Sequence, residues 1–318
     1  MSLKSLESLD IVLSVYNQEN LITKVLAGID RNTTTLFNLI VVFDGCTDRT
    51  EQVVLEYIKA HRPSLMKDFR STKAPNVYET KANNIGFRMG SEPYLITLQD
   101  DMIIEEKGWE RRLTYPLRAF NDIFAVTART ALTTHIDPNN YSLQYTDKAA
   151  HESFTLRRNT FTIRNSINRG PIAFRTDILR KLNYLDEAFA PAWLDEADMV
   201  LRAYEQFDMK SGAFWIGYQS DISWGKTRSK ESSMDVPNTL VNNAQLLLKK
   251  HPQLSKPDGR IIESRTISDR KIDYIVRDNL FTRLERNIIM NFYFIRQLTS
   301  RKINGLRVRL CYLTSKSS

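Results

Sequence analysis

Cysteine is scarce: the 318 residues hold only Cys46 and Cys311, far apart in sequence. Two such residues cannot staple a small fold and fit free thiols in a reducing compartment. The four histidines, His61, His135, His151 and His251, show no zinc-ligand spacing, so no structural zinc site is expected. No apolar run approaches the ~20 residues that cross a bilayer; residues 288–295 come nearest and are interrupted by Asn291. The first ten residues lack a basic start followed by an apolar stretch, so no secretory signal is read. The chain is expected in the cytoplasm, in solution or peripheral at a membrane surface. Also missing are a Gly-x-Gly-x-x-Gly turn after the first strand, a Gly-x-x-x-x-Gly-Lys-Ser/Thr loop and a Gly-x-Ser-x-Gly elbow. These absences argue against a dinucleotide oxidoreductase, a P-loop NTPase and an α/β-hydrolase.

What is present is ordinary globular composition, 42% hydrophobic and 26% charged, and a length sufficient for one large domain with an appendage. The net charge of +8 is uneven. Residues 260–318 carry 13 Lys/Arg against 5 Asp/Glu, equal to the whole excess, so the first 259 residues are neutral in sum. Within this tail, residues 274–298 place Ile275, Leu280, Leu284, Ile288 and Ile295 at helical spacing among arginines. The pattern predicts a basic amphipathic helix, and docking on its own core, membrane-surface contact and oligomer contact all stay open. No nucleic-acid motif accompanies the charge, so no nucleic-acid partner is expected. The predicted division is a domain over 1–251 and a basic, partly helical extension over 252–318.

Runs rich in β-branched residues at 10–15, 39–43 and 94–98 are apolar on both faces, as in the middle of a parallel sheet. Helices are predicted over 19–31 with Asn17 as N-cap, from Asp48 with Glu51 in capping-box spacing, and over 80–89 before Gly90. Further helices are predicted over 106–120, 177–182, 194–207 and 239–250. Strands are expected at 123–127, 170–174 and 213–218, with residues 130–168 as a long loop or insertion. Such alternation implies a doubly wound α/β domain with a mostly parallel sheet.

Ligands of such sheets bind beyond the carboxyl ends of the strands. Three polar clusters fall there: Tyr16-Asn17-Gln18-Glu19, Asp44-Gly45-Cys46-Thr47-Asp48 and Gln99-Asp100-Asp101. Asp44-Gly45 alone reads equally as a tight turn and Asp48 as a helix cap. Asp100-Asp101 suits a hard divalent cation, Mg2+ or Mn2+, which takes carboxylate oxygens together with water and phosphate; two solvated carboxylates are the alternative. A fourth cluster, Asp195, Glu196 and Asp198 beside Trp193, opens a helix. Acids there either complement the helix dipole or offer a general base to an attacking hydroxyl.

The ordered segments IVLSVYNQE, VVFDGCTDRT, KANNIGFRMG, YLITLQDDM, GPIAFRTDIL and WLDEADMVLR resemble a family 2 glycosyltransferase of the GT-A, Rossmann-like fold. The resemblance covers about residues 9–251. It implies transfer of a sugar from a nucleotide-sugar donor to a carbohydrate or lipid-linked acceptor hydroxyl, inverting and metal-dependent, in glycan or polysaccharide biosynthesis. Tyr16, Asn17 and Glu19 then resemble the first nucleotide-binding strand end, and Asp44 matches the acid that recognises the nucleoside. Lys81 and Asn84 lie in the segment that helps to hold the nucleotide. Gln99-Asp100-Asp101 occupies the Asp-x-Asp position, with Asp101 on the metal and Asp100 beside the ribose or a metal-bound water. Asp195-Glu196 stands where the family has Glu-Asp, with Glu196 aligned to the base. Three positions depart from the family: Gln99 replaces the first acid, Glu replaces Asp at the base, and residues 220–225 lack a metal-ligand histidine.

Overall fold

In a computed structural model, the chain divides into two units, residues 1–276 and 277–318. The structure describes residues 4–145, 160–221, 223–226, 235–256 and 263–266, all within the first unit. The amphipathic segment predicted at 274–298, the sequence at 146–159 and Cys311 lie outside the described residues.

The chain begins with three strand–helix units. β1 (Ser8–Val15) and α1 (Ile22–Asn32) lead to β2 (Leu36–Asp44) and α2 (Thr50–His61). β3 (Met66–Ala74) and α3 (Tyr78–Met89) lead to β4 (Tyr94–Gln99). After α4 (Trp109–Leu113) and α5 (Tyr115–Ala119) come β5 (Ile123–Thr127), β6 (Thr160–Arg164) and β7 (Ile172–Arg175). The rest comprises α6 (Thr176–Lys181), α7 (Asp195–Phe207), β8 (Lys210–Ala213), α8 (Val236–Lys250) and β9 (Glu263–Thr266).

Among the described residues nine strands form one sheet in the order β3-β2-β1-β4-β7-β5-β8-β6-β9. Only β7 and β6 oppose the others, so the sheet is mostly parallel. The period of two in a strand explains why both faces of β1 are apolar. Leu9, Ile11, Leu13 and Val15 enter one core with Ile22, Val25 and Ile29 of α1, while Val12 enters the other with Ile40, Phe87 and Leu95. Each such fully buried side chain is worth roughly 1.5–3 kcal/mol of transfer free energy. α3 lies so close to β1 that a Cβ on Gly86 would sit 2.3 Å from Val12 Cγ1.

Several expected boundaries shift for physical reasons. β3 escapes the sequence pattern because it is an edge strand whose MKDFRSTKA sequence is largely solvent-facing. The helix expected over 106–120 breaks at Thr114, since Pro116 cannot continue the hydrogen-bond ladder and instead opens α5. The stretch 130–168 is not loop throughout. It contributes β6, in which buried Phe161 and Ile163 alternate with buried Thr162 and Arg164, and the short pairing of Ala131–Leu132 with Ser166–Ile167. The strand expected at 213–218 is two pieces, β8 and a separate pairing of Tyr218–Ser220 with Met102–Ile104. Asn17 does not cap α1, and Glu51 pairs with Lys73 rather than closing a capping box. β9 and the turn Pro252–Ser255, capped by Lys256, pack with the sheet domain, and the rest of 252–318 lies outside the described residues. Among the described residues no helix is long and apolar enough to cross a membrane.

Candidate active site

The parallel register fixes where the polar clusters meet. Val15 pairs with Phe43 and Ser14 with Gln99, so Tyr16, Asp44 and Asp100 emerge side by side at the carboxyl edge. β7 runs the other way, with Ile172 opposite both Thr97 of β4 and Thr127 of β5. Its approach, Asn168-Arg169-Gly170, therefore starts at the same edge, beside the chain leaving β5 at Arg129.

A cleft of about 150 Å3 opens here, bounded by Tyr16, Asp44, Asn83 and Tyr78, with Asp100 and Asp101 on its floor. Asp44 Oδ1 accepts from the Val77 amide at 2.6 Å. Burial raises its carboxyl, and the amides of Val77 and Tyr78 work against that rise. Gly45 adopts φ +67°, and a Cβ there would meet Asn76 at 2.5 Å, so glycine is required for the β2 end to lie against the loop before α3. Asp100 Oδ2 accepts from the Tyr16 amide at 2.8 Å. Burial first, and then the charges of Asp101 and Glu79, push the Asp100 carboxyl up to about 8. Burial and Glu79 raise Asp101 to about 6. Asp101 Oδ1 is buried with no hydrogen-bond partner among the described residues. A buried anionic oxygen left unbonded is costly, and it fits a hard cation such as Mg2+ or Mn2+. Among the described residues no group of three or more acidic, histidine or cysteine side chains is arranged to hold a metal, so donor phosphates and water would complete the set.

Asn17 and Glu19 brace the cleft from behind. Asn17, at φ +49°, accepts from the Thr47 amide at 2.8 Å, and Glu19 accepts from the Arg49 amide at 3.0 Å. Together they tie the β1 end to the β2 end. Asn84 turns the other way: it donates to Leu185 O at 2.9 Å and accepts from the Leu185 amide at 3.0 Å. Lys81 lies off the cleft on the side of Glu187, whose carboxyl its charge helps to lower. On α3 it is Asn83 that lines the cleft, accepting from Ser14 Oγ at 2.9 Å. Cys46 is a free thiol near this edge, pushed up to about 11 chiefly by burial.

Asp195 and Glu196 open α7 after Trp193 and Leu194, both in the left-handed region. The strained loop is held by Asn243 of α8, whose Nδ2 donates to Phe189 O and Ala192 O at 2.8 Å and lies 3.0 Å from Trp193 O. Asp195 is fully buried and accepts from Thr80 Oγ1 at 2.7 Å. Arg169 gathers the acids. Its Nη2 lies 2.5 and 2.6 Å from the two Asp195 oxygens, and its Nε donates to Glu196 Oε1. Its Nη1 lies 2.5 Å from Glu79 Oε2, an ion pair without hydrogen-bond alignment. Burial drives the Glu196 carboxyl well above its ordinary range. For Asp195, burial acts upward, but the Arg169 charge together with hydrogen bonds from Glu196, Thr80 and Arg169 outweighs it, and the carboxyl is held low. One carboxylate thus stays ionised while its neighbour favours a proton. The third acid, Asp198, faces away into an ion cluster with Arg202, Lys250 and His251.

No sequence pattern singles out Glu79, Arg169 or Lys226. Glu79 and Arg169 read as ordinary surface charges until the topology brings both beside the acids. Lys226 follows the segment without a histidine, and it is the only cation among the described residues that line the cleft.

The α/β sheet thus carries a carboxylate-lined cleft at its parallel edge and a carboxylate pair beside it. Residues 10–182, more than half of the chain, match the family described as Glycosyl transferase family 2, and the chain belongs to that family. A curated relative, the teichoic acid poly(glycerol phosphate) polymerase of Staphylococcus epidermidis, is 27% identical over 209 residues. That match covers 63% of this chain but only 28% of the relative. Among solved structures, S. aureus TarS 1-349 in complex with UDP-GlcNAc is similar with a TM-score of 0.52 at 14% identity, covering 85% of this chain and 70% of that one. GalNAc-T7 with UDP, GalNAc and Mn2+ gives 0.51 at 12% identity, covering 66% and 43%. These likenesses establish the GT-A fold.

Proposed function

We propose that the protein transfers a sugar from a nucleotide-sugar donor to the hydroxyl of a carbohydrate or lipid-linked acceptor, with inversion at the anomeric carbon, in glycan or polysaccharide biosynthesis. The observation that carries this reading is the juxtaposition of two acidic sites. The first is the cleft of Asp44, Asp100 and Asp101, with its unbonded oxygen; the second is the Asp195-Glu196 pair, linked to the first through Arg169 and Glu79.

The nucleoside lies against Tyr16 and Asp44, and Asn83 faces the same space. A divalent cation held by Asp101, with Asp100 beside it, would supply neutralising charge to the departing diphosphate. Lys226 adds a protein cation on the opposite wall. Glu196, in its ionised form, takes the proton from the acceptor hydroxyl, and burial raises its affinity for that proton. Asp195, kept ionised by Arg169, disfavours a second negative charge beside it and so strengthens the basicity of Glu196. The acceptor oxygen then forms a bond to the anomeric carbon as the bond to the diphosphate oxygen breaks. The basic segment 260–318 would contact a membrane surface or a second copy of the chain.

The test is a thermal-shift screen against UDP, GDP, dTDP and CMP sugars, with and without Mn2+. UDP sugars come first, because both solved neighbours hold UDP or a UDP sugar. One nucleotide giving a metal-dependent rise supports the donor site, since a ligand bound only by the folded state stabilises it. No shift with any of them overturns the reading. Gln99 in place of an acid favours one alternative, a protein of the same fold that binds the sugar nucleotide without turnover. A shift without nucleotide release on added acceptors would select it.

A further inference from the structure

We propose that Arg169 is a positioning residue that locks the base-bearing helix α7 to the rim of the donor cleft, with Glu79 as the point of attachment. The inference rests on the transferase reading above and adds to it how the base is placed relative to the donor.

Arg169 sits just before β7, and its side chain is 12% exposed. Three carboxylates from two elements converge on its one guanidinium. Asp195 and Glu196 come from the first turn of α7, and Glu79 comes from the first turn of α3. Glu79 is fastened on its other side, where Gln99 Nε2 donates to Glu79 Oε1 at 2.8 Å. Gln99 is the last residue of β4 and directly precedes Asp100-Asp101. A second thread runs parallel: Thr80, next to Glu79, donates to Asp195 Oδ2 at 2.7 Å. The path from the acidic floor to the base therefore passes through Gln99, Glu79 and Arg169.

Guanidinium is suited to this place and ammonium is not. Its planar fork presents five N–H donors in fixed directions, so it holds several carboxylate oxygens at defined positions, whereas lysine offers a point charge on a flexible stem. The balance of charge also matters. One cation faces three acids, so removing it leaves carboxylates that repel one another in a poorly solvated place. The helix start and the cleft rim would then move apart, and a displacement of about 1 Å can cost 100-fold in rate. Gln99 gains a meaning in this arrangement. An acid at position 99 would repel Glu79, whereas the amide donates to it.

The test is a double-mutant cycle between Arg169→Lys and Glu79→Gln in the full chain. It is read in UDP affinity by calorimetry, in hydrolysis of UDP-GlcNAc with water as acceptor, and in the thermal midpoint. Arg169→Lys is expected to lower kcat by roughly 10–100-fold while UDP affinity and KM change less than about 3-fold. Glu79→Gln should lower kcat about 10-fold in the parent and less than about 2-fold in the Arg169→Lys background, because the path is already cut. The thermal midpoint of the double variant should fall no further than that of the worse single variant. Full kcat in Arg169→Lys, or effects that simply multiply in kcat and add in the midpoint, overturn the proposal. Absence of UDP binding and of hydrolysis in the parent would instead count against the transferase reading. The midpoint cycle would still decide whether Glu79 and Arg169 form one unit.

Discussion

Substituting Asp198 by Asn probes how α7 is held in place. Asp198 is fully buried three residues after Asp195. Its oxygens lie 2.6 Å from Arg202 Nε, 2.5 Å from Lys250 Nζ and 3.1 Å from His251 Nε2. Lys250 and His251 end α8, so this carboxylate fastens α8 to α7, while Asn243 of α8 holds the loop before Asp195. Burial alone would raise the carboxyl. The His251 hydrogen bond and the Arg202 and Lys250 charges outweigh it and bring the group down to about 2, against an ordinary 3.8. At about 1.4 kcal/mol per pH unit, that difference is worth roughly 2–2.5 kcal/mol of stability at neutral pH. Stranding the surrounding cations raises the expected loss to about 3 kcal/mol. In a protein of this size the loss corresponds to a fall of roughly 5–10 °C in the midpoint. The sign with pH follows from the lowered value. The contribution is complete above about pH 4 and is lost as pH falls through 2, because the unfolded chain protonates first. Urea titrations of both proteins across pH 7 to 3 give the comparison. The deficit of the Asn variant should be full at pH 7 and begin to shrink below pH 4. Equal stability at pH 7, or a deficit that does not change in acid, would refute the electrostatic account of this clamp.

Glu196→Gln should leave UDP affinity within about 2-fold and reduce turnover by roughly 100- to 10,000-fold, the usual span for a lost general base; normal turnover would place the base elsewhere. Asp101→Asn should abolish the Mn2+-dependent part of the thermal shift with UDP, and an undiminished metal response would remove Asp101 from the metal assignment. Lys226→Ala should weaken UDP about 10-fold, the order of one charge-assisted hydrogen bond, while leaving uridine affinity unchanged. Equal weakening of both ligands would mean that Lys226 does not address the phosphates.

The strand ends that build the cleft were legible because β1, β2 and β4 are apolar on both faces and stop at polar residues. Periodicity alone therefore located Tyr16, Asp44 and Asp100 at one edge. β3 and β6 were not legible, since one is a polar edge strand and the other alternates apolar residues with buried Thr162 and Arg164. On α3 the two residues expected at the cleft, Lys81 and Asn84, do not line it, whereas Asn83 does. Asn83 and Asn84 are adjacent, and a helix turns by about 100° per residue, so one faces the cleft and the other holds Leu185. Arg169 and Glu79 are separated by 90 residues. They meet only because β7 is inserted antiparallel next to β4, and nothing in local spacing reports that reversal.

The distribution of charge gives the site its direction. In the cleft, Asp44, Glu79 and Asp101 face only Lys226 among the described lining residues, so the site carries an excess of negative charge even with Asp100, pushed up to about 8, holding its proton. An anionic diphosphate entering alone would be repelled, whereas one arriving with a divalent cation turns the same carboxylates into ligands and acceptors. Across the rim the balance differs. Arg169 compensates part of the Glu79, Asp195 and Glu196 charge, leaving Glu196 with a raised affinity for a proton. In the proposed mechanism the two halves answer to different ions, the cleft to a metal and Glu196 to a proton. Glu79 is the one carboxylate that belongs to both. On the proposed mechanism, a cation that draws on Glu79 would weaken its hold on the Arg169 guanidinium and tighten the guanidinium on Asp195 and Glu196.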